Sequence, residues 1–190
     1  CRGIGVSFVV LGLFCLLGAL GFVMYNCWDA KQAEQVSYNL LQEVKAEIEQ
    51  SEQGEVLKEQ TMKADGNNCV GILSIPVLEL ELPVLTDWSY EKLKKAPCHY
   101  YGSCYEENFV IMAHNYRSYF GRLSELTEKD LILFTDITGK DHFYEVVLLE
   151  TLPKTATEEM LASGFDLSLY TCTPGGTNRV TVRCNALETR

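Results

Sequence analysis

Cys172, Arg179 and His114 are the residues whose types and spacing could do chemistry. Cys172 closes the run Leu167–Cys172 (LSLYTC), and Arg179 opens the run Arg179–Cys184 (RVTVRC). Thr173-Pro174-Gly175-Gly176-Thr177-Asn178 lies between them. Two short runs rich in β-branched and aromatic residues around a Pro-Gly-Gly signal predict a β-hairpin with a longer loop. Strand side chains alternate faces, so Ser168, Tyr170 and Cys172 share one side of the first run. Arg179, Thr181 and Arg183 share a side of the second. An antiparallel closure sets Cys172 against Arg179, where opposed Cβ atoms stand roughly 4.5–5.5 Å apart. A thiol beside a permanent cation is placed to be stabilised as thiolate. The plainer reading is a core hairpin with a buried cysteine, because free Cys is among the most buried residue types. His114 changes that weighing.

His114 ends the apolar run Phe109–Ala113, a stretch that suits a strand buried on both faces, and Asn115 opens the loop after it. Functional groups are commonly presented where a rigid scaffold meets a loop. His99, in Pro97-Cys98-His99-Tyr100, reads as a surface or loop residue, and His142 as structural at the start of a strand. An unperturbed thiol is only about 3% thiolate at pH 7. An adjacent imidazolium and guanidinium raise that fraction. Attack on an amide carbonyl then gives an oxyanion that Arg179 and backbone N–H groups can stabilise, each donor worth on the order of 3–4 kcal/mol. His114 would protonate the departing amine and deprotonate the incoming one.

Something must position these groups, and the chain has room for it. Its 190 residues, 47% hydrophobic, allow one globular domain plus appendages. A formal net charge of -10 excludes the clustered basic footprint of a nucleic-acid binder. There is no CxxC pair, no HExxH and no calcium-loop spacing, so neither a metal site nor a cofactor is expected. With Cys172 set aside, Cys69, Cys98, Cys104 and Cys184 are enough for two disulfides in an oxidising compartment. Cys98 with Cys104 is the easiest local pair, and three connectivities stay open.

Ile4 to Tyr25 runs for 22 residues without a charge, roughly 33 Å of helix, enough for a bilayer's hydrocarbon core. It is longer than a signal-peptide apolar region and lacks a small-residue cleavage site, which predicts a single transmembrane anchor. Arg2 before the run and Asp29 after it place the N-terminus in the cytoplasm and the rest of the chain outside the cell. From Trp28 to Gln53 a stripe of Ala33, Val36, Leu40, Val44 and Ile48 predicts an amphipathic helix, a stalk or one docked on the domain, with Gly54 as its stop. Glu55 to Asn68 reads as a charged linker. Strands are predicted at Gly71–Pro76, at Leu80–Leu85 (an edge), at Asn108–Ala113, at Leu131–Thr135, at Asp141–Leu149 and in the hairpin. Short helical segments fall at Tyr90–Lys95 and Phe120–Leu126. Many short strands with few long helices predict an all-β domain, a closed or nearly closed barrel, over residues 70–190. The anchor takes 1–27, and the helical stalk and linker take 28–69.

Asn108-x-Val-Ile-x-x-His114, then Leu169-Tyr170-Thr171-Cys172 fifty-eight positions on, then Arg179 after a short loop, resembles the sortase family. Gly71-Ile72-Leu73-Ser74-Ile75-Pro76 and Leu82-Pro83-Val84 extend the likeness, which covers nearly the whole chain. The resemblance implies an eight-stranded barrel and a membrane-anchored transpeptidase of Gram-positive cell surfaces. It assigns the nucleophile to Cys172, the general acid and base to His114, and the substrate-positioning or oxyanion-stabilising cation to Arg179, with Arg183 its rival on the same face. Thr171 and Asn115, beside the first two, are the expected substrate-binding residues. The implied reaction cleaves an LPxTG-like sorting signal after Thr and joins the acyl fragment to an amine of lipid II, peptidoglycan or a pilin lysine. Ala113 stands where the family often has Gly. Thr173-Pro174 is similar to the pilin-polymerising branch, yet no Asp-Pro-aromatic lid segment precedes Gly71, so the class is left open. Two other readings fit: a surface cysteine peptidase with water as acceptor, and a membrane-tethered binding protein without turnover.

Overall fold

One helix forms where the sequence predicts two. The computed structural model describes residues 2–51, 62–64, 66–161 and 164–187. In it α1 runs unbroken over Arg2–Ser51. The apolar run and the one-sided stripe differ in pattern but not in helical geometry, and no Pro or Gly separates them between Tyr25 and Ala33. Residues 8–28 are exposed along their whole length: Phe14 is 74% and Leu16 69% exposed. This helix is long and apolar enough to cross a membrane. The second half is docked. Ala33, Leu40, Leu41, Val44 and Ile48 are buried, Leu40, Leu41, Val44 and Ile48 against Ala64, Ile72, Leu85 and Leu93 of the domain. Tyr119 donates to the Ala33 carbonyl at 2.7 Å, and Lys45 pairs with Glu81 at 2.6 Å.

The strands are β1 (Met62–Ala64), β2 (Asn67–Ile75), β3 (Leu80–Leu85), β4 (Cys98–Tyr101), β5 (Phe109–Ala113), β6 (Leu131–Asp136), β7 (Asp141–Pro153), β8 (Leu167–Cys172) and β9 (Asn178–Ala186). Eight of them close a barrel in the order β2-β3-β4-β5-β8-β9-β7-β6, with β6 returning to β2. Gly71 makes that closure feasible: a Cβ there would lie 2.3 Å from the Thr135 carbonyl oxygen, and its φ of +155° lies where L side chains rarely go. Short helices α2 (Tyr90–Leu93) and α3 (Thr157–Leu161) and a 3-10 segment, Phe120–Glu125, complete the domain. Ser89 caps α2 by accepting from the Lys92 N–H at 3.1 Å.

The predicted linker needs correction: β1 lies inside it and pairs with the first three residues of β2, which starts at Asn67. The polar Asn67-Asn68 pair hid a strand whose partner is local and short. Gly54, the predicted helix stop, lies outside the described residues. β3 is an edge only in part, joined to β4 by one parallel pair, Leu85 with Cys98, and covered by α1. The barrel interior is filled by Leu73, Ile75, Val84, Ile111, Phe120, Phe134, Leu169 and Val182, among others. On the outside, Val110, Tyr170 and Met160 of α3 form a separate apolar cluster over β5 and β8.

Candidate active site

Strand register assembles the site. β5 and β8 run parallel with Ala113 paired to Thr171, so His114 and Cys172 follow at neighbouring strand ends. β8 and β9 run antiparallel with Cys172 paired to Arg179. Three adjacent strands thus deliver an imidazole, a thiol and a guanidinium to one end of the barrel. All three line the same groove, about 210 Å³ in volume.

Local bonds hold each strand end. The Thr171 hydroxyl, in a buried side chain, donates to the Ala113 carbonyl at 2.8 Å, tying β8 to β5 one residue before Cys172 and His114. The hairpin loop closes on itself: the Thr173 N–H donates to the Asn178 carbonyl at 3.0 Å, and the Gly176 N–H to the Thr173 carbonyl at 2.8 Å. Gly175 and Gly176 take φ values of +85° and +72°, which the turn requires and glycine supplies. Arg179 donates through Nη1 to the Asn178 carbonyl at 3.1 Å and the Gly176 carbonyl at 3.3 Å, which fixes the guanidinium beside the groove.

His114 is half-buried, with its ring 5.2 Å from that of Tyr116. The Tyr116 hydroxyl donates in turn to Asp29 of α1. Burial first, and then the Lys94 ammonium, hold the imidazole below its ordinary 6.5, while Asp29 pulls the other way. Neutral imidazole is the favoured form, suited to accept the thiol proton.

Arg183 is not available for the site. It is 1% exposed, donates from Nε to Glu150 at 2.8 Å and from Nη1 to the Ser168 hydroxyl at 2.8 Å, and from Nη2 to the Glu159 carbonyl at 2.7 Å. Its work is to fasten α3 to the barrel wall. Asn115 is exposed and stands outside the groove lining, whereas Thr171 is in it. His99 is half-buried on β4, with Nδ1 3.0 Å from the Thr86 carbonyl and Nε2 2.8 Å from that of Gly102. It is a strut, where the sequence suggests a loop residue.

The described cysteines are free thiols, and the expected Cys98–Cys104 bridge is not made. The two face different apolar clusters: Cys98 packs under α1, and Cys104 against the barrel interior. Burial pushes the Cys69 and Cys98 thiols up to about 12, and burial with the Asp136 charge pushes Cys104 to about 11. Burial drives Cys184 upward as well. Such groups stay protonated and unreactive at neutral pH.

Sequence reasoning missed the groove's aromatic wall. Trp88, Tyr100 and Tyr170 stack edgewise or tilted, with ring centres 6.1 Å and 5.8 Å apart, and Met112 and Met160 line the same groove. These residues come from five segments, so no local pattern announces them.

A family model for the sortase domain matches residues 73–187. Solved structures with the same fold include sortase C1 from Streptococcus suis, 28% identical, TM-score 0.57, covering 64% of this chain and 74% of that one. The sortase D5 transpeptidase of Clostridium perfringens is 20% identical with a TM-score of 0.65, covering 81% of this chain and 99% of its own. Sortase C of Clostridium perfringens with its C-terminal cell wall sorting motif is 21% identical with a TM-score of 0.57, over 82% and 91% of the two chains. No curated protein matches the chain.

Proposed function

The chain belongs to the sortase family, and from that premise we propose that it is a cysteine transpeptidase whose reacting groups are Cys172, His114 and Arg179. The observation that carries the reading is the register: Cys172 opposite Arg179, with His114 following the residue paired to Thr171, all on one groove. Cys172 loses its proton to His114 and its sulfur attacks the Thr carbonyl of the Thr–Gly amide in an LPxTG-like sorting signal. The tetrahedral oxyanion accepts from Arg179. Collapse breaks the C–N bond, His114 returns its proton to the departing amine, and a thioester to Cys172 remains. An amine of lipid II, peptidoglycan or a pilin lysine then attacks the thioester while His114 takes its proton, and the thiol is regenerated. The aromatic wall of Trp88, Tyr100 and Tyr170 gives the apolar residues of an extended peptide a surface to bury. α1 anchors the domain, with the N-terminus cytoplasmic and the barrel outside the cell.

The test incubates the full chain in detergent with a panel of sorting peptides plus a soluble amine. Amine-coupled product is expected from the wild type and none from Cys172→Ala. Hydrolysed product alone at every amine concentration would identify a peptidase instead, and no cleavage of any peptide would leave a binding protein.

A further inference from the structure

A cluster of side chains with metal-ligand atoms stands at the opposite end of the barrel. Cys104 lies in the loop before β5, Asp136 ends β6, and His142 is the second residue of β7. His114 follows β5 and Lys154 of the groove follows β7, so the two strands join one end to the other. The Cys104 sulfur, an Asp136 oxygen and a His142 ring nitrogen all lie within 4.8 Å of one another. His142 Nε2 is 3.0 Å from Asp136 Oδ2. The Tyr105 hydroxyl donates to that same oxygen, and its ring meets the imidazole edge-on at 5.2 Å.

Asp136 is built to stay a carboxylate. It is 2% exposed, and burial alone would raise its pKa. Hydrogen bonds from Thr138, Tyr105 and His142 outweigh that and hold it at about 2. Its other oxygen is occupied by the Thr138 N–H at 2.8 Å, the Thr138 hydroxyl at 2.6 Å and the Lys140 N–H at 3.1 Å, which fixes Oδ2 toward His142 and Cys104. One thiol, one imidazole and one oriented carboxylate are the donor set of zinc and its congeners. At the tetrahedral angle, Zn–S of about 2.3 Å and Zn–N of about 2.0–2.1 Å set such donors about 3.6 Å apart, so Cys104, carried on a loop, and its partners must draw in by up to about 1.2 Å to seat an ion.

We propose that Cys104, Asp136 and His142 bind a zinc-class divalent cation, which takes the place of the His142–Asp136 hydrogen bond, binds His142 as neutral imidazole with its N–H on the other ring nitrogen, and displaces the Cys104 thiol proton to solvent. The fourth position falls to water or to the Tyr105 hydroxyl. Such an ion clips the β4–β5 loop to the β6–β7 hairpin. The site is independent of the groove chemistry. The spacing of its ligands at positions 104, 136 and 142 explains why no short metal motif appears in the sequence.

Metal-free full chain in detergent is titrated with Co²⁺. A one-to-one, intense sulfur-to-cobalt charge-transfer band is expected, unchanged in Cys172→Ala and lost in Cys104→Ser. Zn²⁺ is expected to displace Co²⁺ and to raise the unfolding temperature of wild type. His142→Gln should weaken Zn²⁺ binding by more than the 10–100-fold typical of a supporting residue. If His142→Gln does not fold, the Cys104→Ser spectrum decides alone. Absence of the band, or its persistence in Cys104→Ser, overturns the proposal.

Discussion

Arg179 and Arg183 are four residues apart on one face of β9, yet their surroundings assign them different work. Arg179 anchors itself on two carbonyls of the loop and keeps the groove within reach. Arg183 bonds Glu150, Ser168 and the α3 carbonyls. Arg179→Ala is expected to lower kcat about 10²–10³-fold, the effect of removing one oxyanion donor, with little change in unfolding. Arg183→Met is expected to do the reverse. Removing one partner of a buried pair costs about 3–5 kcal/mol, and Glu150, whose side chain is 31% exposed, puts this case at the low end. Urea unfolding beside steady-state kinetics of both variants checks the assignment. Equal losses of activity and stability in the two would sink it. From sequence alone the two cations could not be separated, because alternation places them on the same side and only α3, packing from elsewhere in the chain, decides which one is covered.

At the level of elements, the hairpin Leu167–Cys172 and Asn178–Ala186 and strand Phe109–Ala113 were legible from alternation, an unbroken apolar run and a Pro-Gly-Gly turn. Those elements carry Cys172, Arg179 and His114, so their meeting followed from pairing rules. What was hidden is what comes from afar. β4 is four residues of mixed polarity, α3 is five, and both are stabilised by neighbours distant in sequence. The Asp29–Tyr116–His114 chain likewise joins α1 to a loop 87 positions away. That link has a pH signature. With the folded His114 below 6.5, the unfolded chain takes up a proton first as pH falls through 6.5, so stability holds above that value and declines below it. His114→Gln is expected to flatten that decline in urea titrations between about pH 5 and 6.5. The acid limb of kcat/KM, which requires neutral His114, should lie below 6.5, move up in Lys94→Ala and move down in Asp29→Asn. Limbs that stay put in both variants would refute the coupling. The docked half of α1 is tested by Leu40→Ala, 1% exposed, which is expected to cost about 2–5 kcal/mol of stability.

Across the whole molecule, the proposed anchoring by α1 would set how far the groove stands from a bilayer. The apolar run ends at Tyr25, and the helix contacts Tyr116, neighbour of His114, at Asp29. Four residues of helix rise about 6 Å. With Phe8–Tyr25 in the membrane, the contact beside His114 therefore lies at the headgroup level, where a lipid-linked amine would present itself. Two charges in the exposed half, Leu13→Lys with Leu17→Lys, oppose insertion by about 2.5–3.5 kcal/mol each. Neither residue touches the barrel, Leu13 being 58% and Leu17 59% exposed. Vesicle flotation is expected to show the double variant leaving the membrane while turnover of a soluble peptide with a soluble amine stays at the wild-type rate. Transfer to an amine carried on a lipid headgroup in the same vesicles should fall sharply. A variant that no longer floats with the vesicles yet couples the lipid-borne amine as fast as wild type would mean that α1 does not deliver the acceptor to the groove.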